Sequence, residues 1–264
     1  MNFGVSSMVL PLKKVALLRP GASLLEADIN KWHYSNIFNP DKVQGIYNNF
    51  VNLLTDEGVE IFWIEENTNI ADAIFTYDAS MMTKSGAILM SPGKELRKGE
   101  QNLHRNFYKH NNIPIIGEIT GKATAEAGDT LWLDDNSLIV GKGFRTNQEG
   151  VNQIKEIMKP LQVNVFQFDI PVYMGTEACL HLMSLISLVD HRKALVYSPL
   201  LPVSLFKLLE EKGFTLINAP EDEFLSSQTL STNILTISPR KCIMIDGFPK
   251  TRESLENCGI SVKV

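Results

Sequence analysis

The stretch "DKVQGIYNNFVNLLTDEGVEIFWI", Asp41 to Ile64, carries two periodicities in succession. Val43, Ile46, Tyr47, Phe50, Leu53 and Leu54 fall at three- and four-residue steps, which predicts a helix with one buried face, and Gly58 supplies its stop. The run "VEIFWI" that follows is β-branched and aromatic, the composition of a strand. The same helix-then-strand pairing recurs four more times. It is found in "GEQNLHRNFYKHNN" then "IPIIGEI", "NQEGVNQIKEIMKPL" then "VNVFQFDI", "PVSLFKLLEEKG" then "FTLINAP", and "PKTRESLENCG" then "ISVKV". The junctions at Gly58, Asn112, Pro160, Gly213 and Gly259 return about every fifty residues, a spacing on which repeat architectures are built.

Between the strand of one unit and the helix of the next lie two further apolar runs. These are "AIFTYD" and "GAILMS", "TLWL" and "LIVG" around the turn "DDNS", "LHLMSLI" and "KALVYS", and "NILTI" and "CIMID". The repeating unit is therefore strand, strand, helix, strand. Separate cores of about fifty residues would each be marginal, whereas units set around an axis share one. The expected fold is a five-bladed α/β propeller of ββαβ units, a single domain over residues 1–264. A doubly wound sheet would alternate strands and helices one for one and open with a Gly-rich phosphate turn, yet neither GxGxxG nor GxxxxGK[ST] occurs. The first unit shows only "KVALLRP" before its helix. Its partner is either the weak "SSMVL" or a closing strand from a C-terminal segment that the chain is taken to lack.

Composition narrows the partners. The chain has 264 residues, 44% hydrophobic and 21% charged, which is ordinary globular usage. Its net charge of -5 and the absence of a long Lys/Arg cluster argue against nucleic acid. The N-terminal lysines follow the apolar patch rather than precede it, the wrong order for a secretory signal, and no apolar run reaches the length of a membrane span. Cys179, Cys242 and Cys258 are odd in number and lie in no zinc or disulfide spacing, so reduced thiols and a cytoplasmic location are expected.

The polar residues of the strand pairs are the candidates for chemistry. In a strand, Asp72, Ile74, Thr76 and Asp78 would share one face. "TAEAGDTLWL" adds Glu126 and Asp129, and "TEACLHLMSLIS" adds Glu177 and His181. Gathered at one end of a propeller, these would form an acidic pocket with one imidazole, and such a pocket suits a planar guanidinium, whose forked N–H groups carboxylates accept in pairs. A divalent metal is the rival reading, but paired histidines and the EF-hand spacing are missing, so neither metal nor cofactor is expected. Arg97 and Arg145 follow the strand pairs of the second and third units, where two forks could hold the carboxylate of an amino-acid substrate. Cys179 is a candidate pocket-liner by its alternation with His181, and His33, His104, His110 and His191 are expected to face solvent.

With these residues in hand, the chain resembles the guanidino-group-modifying, or pentein, superfamily, and within it the dimethylarginine dimethylaminohydrolase and amidinotransferase-like group. The resemblance rests on "ADAIFTYD", "SPGKELRKGE", "EAGDTLWL", "GFRTNQEG" and "CLHLMSLIS", in the family's order and with comparable spacing. It implies a five-bladed propeller and a small-molecule guanidino substrate, and a homodimer is compatible with it. It further implies that Asp78 and Glu126 bind the guanidinium, that Asp72 sits behind them or touches the substrate's amino-acid end, and that Asp129 belongs to the same substrate-binding set. By the same resemblance His181 is the general acid/base, with Glu126 beside it in the catalytic set, and Arg97 and Arg145 hold the substrate carboxylate. The family usually reads Glu-Gly-Gly-Asp where this chain has Glu126-Ala127-Gly128-Asp129, and Met183 stands where arginine deiminases carry an Asp. The latter departure favours a substituted or different guanidine over free arginine. The family's nucleophile is a cysteine in a Gly-rich C-terminal segment, and none of the three cysteines here matches it.

Overall fold

A computed structural model describes residues 3–65, 68–176 and 180–264. Glu177 and Cys179, singled out from the sequence, lie outside the described residues. The chain is α/β and divides into two compact bodies. The first comprises residues 1–4 and 13–127, the second residues 5–12 and 128–264. Among the described residues no helix is long and apolar enough to cross a membrane.

The first body opens with strand β1 (Lys14–Leu17), two short helices α1 (Ala22–Leu25) and α2 (Ile29–Trp32), and the long helix α3 (Pro40–Asp56). Asn39 caps α3 by accepting from the Lys42 backbone, and Pro40 fits the first turn, where no N–H partner is needed. Strand β2 (Glu60–Trp63) returns parallel to β1. Next come β3 (Ser80–Thr83), β4 (Gly86–Leu89), α4 (Glu100–His110) and β5 (Ile115–Glu118), with β3 and β4 antiparallel and β5 parallel to β4. Gly86 has a reason to be glycine. Its φ is +149°, and a Cβ there would stand 2.4 Å from the Pro114 carbonyl, which accepts the Ala87 N–H. Leu18, Ile64, Ala87, Leu89, Leu103 and Phe107 belong to this body's core.

The second body repeats the hairpin, helix and parallel strand three times. Its elements are β6 (Thr130–Asp134), β7 (Ser137–Lys142), α5 (Gln148–Met158) and β8 (Asn164–Asp169), then β9 (Ile186–Asp190), β10 (Lys193–Val196), α6 (Val203–Glu211) and β11 (Thr215–Asn218). After the short helix α7 (Glu221–Ser226) come β12 (Leu235–Ser238), β13 (Lys241–Ile243), α8 (Pro249–Asn257) and β14 (Ser261–Lys263). Each forms a three-stranded sheet in which the first pair is antiparallel and the last parallel.

All five helix-then-strand pairs stand where periodicity puts them, but four readings need correction. The α3 face is only half-buried: Leu54 is buried, Val43, Tyr47, Phe50 and Leu53 are partly covered and Ile46 is 62% exposed, in a unit whose sheet has two strands instead of three. "AIFTYD" is no strand. Residues Ala71–Ile74 form a 3-10 turn, and the hairpin begins at Ser80. The strand read in "LHLMSLI" likewise starts only at Ile186, after a 3-10 turn over Leu182–Ser184 that His181 and Ser184 cap reciprocally. Ser6 to Leu10 is not a strand, and Val9 packs into a core of the second body.

Candidate active site

In the first body the acids of "ADAIFTYD" are held by side chains distant in sequence. Asp72 is 6% exposed; its Oδ1 accepts from the Tyr34 hydroxyl at 2.5 Å and its Oδ2 from Lys94 Nζ at 2.6 Å. The Tyr34 pKa is raised by burial and by the neighbouring Asp72 carboxylate. Lys94 Nζ also donates to the Trp32 carbonyl at 3.3 Å and stands 5.1 Å over the Trp32 ring. Glu126, fully buried, accepts the backbone N–H groups of Gly93 at 2.9 Å and Lys94 at 3.2 Å through Oε1. The bridge between Ser91 and Ala125 sets that approach, since it fixes the two segments side by side one residue before Glu126.

Arg97 ties the remaining acids together. Its Nη1 donates to Asp78 Oδ2 at 2.6 Å, while Nε and Nη2 grip the two oxygens of Glu100 at 2.6 Å each. This is a bidentate fork, the strong form of the arginine–carboxylate pair. Nη2 reaches the Phe75 carbonyl at 3.2 Å as well, and that carbonyl is a backbone acceptor a strand would have used, which explains why the predicted strand is a turn. Burial opposes the Arg97 charge, but Glu100 and Asp78 outweigh it and hold its pKa above the ordinary value. Burial pushes the Glu100 carboxyl up to about 7 against the pull of Arg97. Arg97 is 3% exposed, so the loop-end arginine expected to offer its fork to a substrate is a buried cross-link.

His104 is also a correction, being 3% exposed rather than solvent-facing. Its Nδ1 bonds the Ser80 hydroxyl at 2.8 Å, and Ser80 bonds the Tyr108 hydroxyl at 2.5 Å. Burial, then the Arg97 charge, bring the imidazole down to about 4. Glu100, His104 and Tyr108 sit four residues apart on the buried face of α4, a polar stripe where a helix ordinarily places apolar residues.

In the second body Asp129 is fully buried and accepts from the Thr146 hydroxyl at 2.7 Å and from the Leu182 N–H at 3.0 Å. It thereby ties the turn next to Arg145 to the residue following His181. Arg145 itself is half-buried in the bend between β7 and α5. His181 is 8% exposed, its N–H donating to Ser184 Oγ at 3.2 Å while its side chain accepts from the Ser184 backbone. An imidazole that accepts through one nitrogen while neutral carries its proton on the other. A cavity of about 260 Å³ lies in this body, lined by Phe144, Ile170, Val172, Tyr173 and Leu180, the last preceding His181 in the chain.

Of the residues that sequence reasoning singled out, Asp72, Asp78, Arg97 and Glu126 are joined in the first body, and Asp129, Arg145 and His181 belong to the second. Lys94, Glu100 and Tyr34 were missed. The spacing Lys94, Arg97, Glu100 holds a signal, because residues three apart in a helical turn meet, and Arg97 pairs with Glu100 in that way.

Known proteins resemble this chain over much of its length. The arginine deiminase family model matches residues 68–206. The dimethylarginine dimethylaminohydrolase of Pseudomonas aeruginosa is 25% identical over 232 residues, covering 86% of this chain and 84% of that protein. A solved mutant structure of the Pseudomonas aeruginosa enzyme with citrulline superposes with a TM-score of 0.77 at 22% identity, covering 96% of this chain and 92% of the other. An amidinotransferase from Microseira wollei shares the fold with a TM-score of 0.75 at 14% identity, over 100% of this chain and 91% of that one.

Proposed function

Because the chain belongs to the arginine deiminase family, we propose that it is a hydrolase of the guanidinium group of an arginine-like substrate, close in kind to dimethylarginine dimethylaminohydrolase. The observation that carries this reading is the clustering of buried acids in the first body, where Asp72, Asp78, Glu100 and Glu126 gather around Lys94 and Arg97. Carboxylates so gathered are the acceptors that a planar cation uses. Asp78, held by Arg97, and Glu126, held by two backbone N–H groups, are the acceptors for the guanidinium. Arg97 positions Asp78, and Asp129 positions the segments carrying Arg145 and His181. Arg145 remains the residue for a substrate carboxylate. The five sheets are taken as blades of a five-bladed propeller in one domain, a reading supported by the fold shared with the solved structures.

In the reaction a cysteine thiolate attacks the guanidinium carbon and the C–S bond forms. His181, entering the step as the imidazolium, gives a proton to the departing amine as the C–N bond breaks and becomes neutral, leaving an amidino-thioether. The imidazole, now a base, takes a proton from water; the hydroxide attacks the same carbon, and the thiolate leaves with release of a urea product. The carboxylates keep the substrate cationic, and a positive carbon is the better electrophile. Cys242 does not suit the nucleophile, since burial in a strand pushes its thiol up to about 12. Cys258 forms the C-terminal cap of α8.

Transfer of the amidino group to an amine is the second reading, favoured by the fold shared with the amidinotransferase. The test is to incubate the protein, as its own cell makes it, with a panel of guanidino compounds and to quench in acid. The expected result is a urea product with an amidino adduct on a cysteine. Transfer to an added amine without urea favours the second reading, and binding without turnover or adduct reduces the protein to a guanidine-binding one.

A further inference from the structure

Lys94 is paired with Asp72, the acid that the substrate's amino-acid end was expected to meet. Asp72 is the carboxylate that could receive a substrate's ammonium, but both of its oxygens are in use, Oδ1 by the Tyr34 hydroxyl at 2.5 Å and Oδ2 by Lys94 Nζ at 2.6 Å. The lysine belongs to the same network as the guanidinium acceptors, because its backbone N–H donates to Glu126 at 3.2 Å. An ammonium arriving here would meet an already paired acid and a like charge beside it, and like charges brought together in a half-closed site repel.

Lys94 also has something to offer. An ammonium carries three donors, and among the described residues two are directed at Asp72 and at the Trp32 carbonyl. The Lys94 side chain is 17% exposed, whereas that of Arg97 is 4% exposed and its guanidinium is engaged by Glu100 and Asp78. A carboxylate is the group that a partly open, half-coordinated ammonium recognises.

We propose that Lys94 sets the substrate class: a guanidinium joined by a short chain to a carboxylate with no α-ammonium, that is, an ω-guanidino acid rather than an α-amino acid. The proposal rests on the guanidine-hydrolase reading and narrows it. Specificity of this kind comes from excluding the wrong ligand as much as from attracting the right one.

The test is calorimetric titration of the protein, as its own cell makes it, with 5-guanidinopentanoate, arginine and agmatine. These share the guanidinium and differ only in the carboxylate and ammonium at the other end. The expected order has 5-guanidinopentanoate binding at least about tenfold tighter than arginine and agmatine weakest, as charge complementarity at one position would give. Lys94→Met keeps the stem and removes the charge. It should weaken 5-guanidinopentanoate, strengthen arginine and collapse the ratio, while Lys94→Arg should keep the order. Arginine binding as tightly as 5-guanidinopentanoate in the unaltered protein would overturn the proposal, as would a ratio that Lys94→Met leaves in place. Binding of none of the three would sink the guanidine reading itself.

Discussion

Two buried carboxylates, Asp78 in the first body and Glu223 in the second, are satisfied by opposite means. Asp78 is paired with the Arg97 guanidinium, which also grips Glu100. Glu223 accepts the backbone N–H groups of Lys250 and Thr251 at 2.8 Å each and the Thr251 hydroxyl at 2.6 Å, at the N-terminus of α8. Glu223, with neutral donors on both oxygens, is part of a helix junction. Asp78 is one of several buried acids gathered around shared cations. The comparison sets an acid that closes a helix end against acids clustered around Lys94 and Arg97.

The sharpest way to break this contrast is Arg97→Met. It leaves Asp78 and Glu100 buried without their shared cation, and removing one partner of a buried ion pair costs about 3–5 kcal/mol. Urea denaturation should register that loss. A variant as stable as the parent would mean that the cross-link holds nothing together.

The next effect comes from His104, held neutral in the fold. Its pKa falls from 6.5 to about 4, so the unfolded chain takes up a proton between these values that the folded one refuses. Stability is full above about pH 6.5 and is lost as pH falls toward 4, by about 3 kcal/mol from this group. Denaturation series at several pH values should differ between the parent and His104→Gln by that slope, because Glu100, raised to about 7, contributes one of opposite sign to both proteins. Smaller again is Asp129→Ala in the second body. It leaves the Leu182 N–H and the Thr146 hydroxyl without their acceptor, a loss of about 1–3 kcal/mol for buried neutral donors. A cost equal to that of Arg97→Met would erase the distinction between the two kinds of carboxylate.

How much of this was legible in the sequence follows the range of the interactions. Helix-then-strand pairs are local, and a period of 3.6 followed by a β-branched run placed all five. The Asp72 to Asp78 segment was misread because its partners are not local: Tyr34 is 38 residues from Asp72, Lys94 is 22 away, and Arg97 is 19 from Asp78. Alternation cannot reveal that a side chain elsewhere will take the backbone carbonyls a strand needs. Ile46 in α3 fits the apolar period yet is exposed, since periodicity says which face would be buried and not how much sheet lies under it. The polar stripe Glu100, His104 and Tyr108 was readable as a helix face with misplaced polar groups, and the i, i+3 pairing of Arg97 with Glu100 was readable beside it.

The central claim is that the acidic centre of the first body receives a guanidinium, and Glu126→Gln tests it most directly. The amide can still accept the Gly93 and Lys94 N–H groups through its oxygen, so the fold should hold while one negative charge is removed. Calorimetry with a cationic guanidine should then lose binding altogether, with the melting temperature little changed. Unchanged affinity in a well-folded Glu126→Gln protein would contradict the assignment.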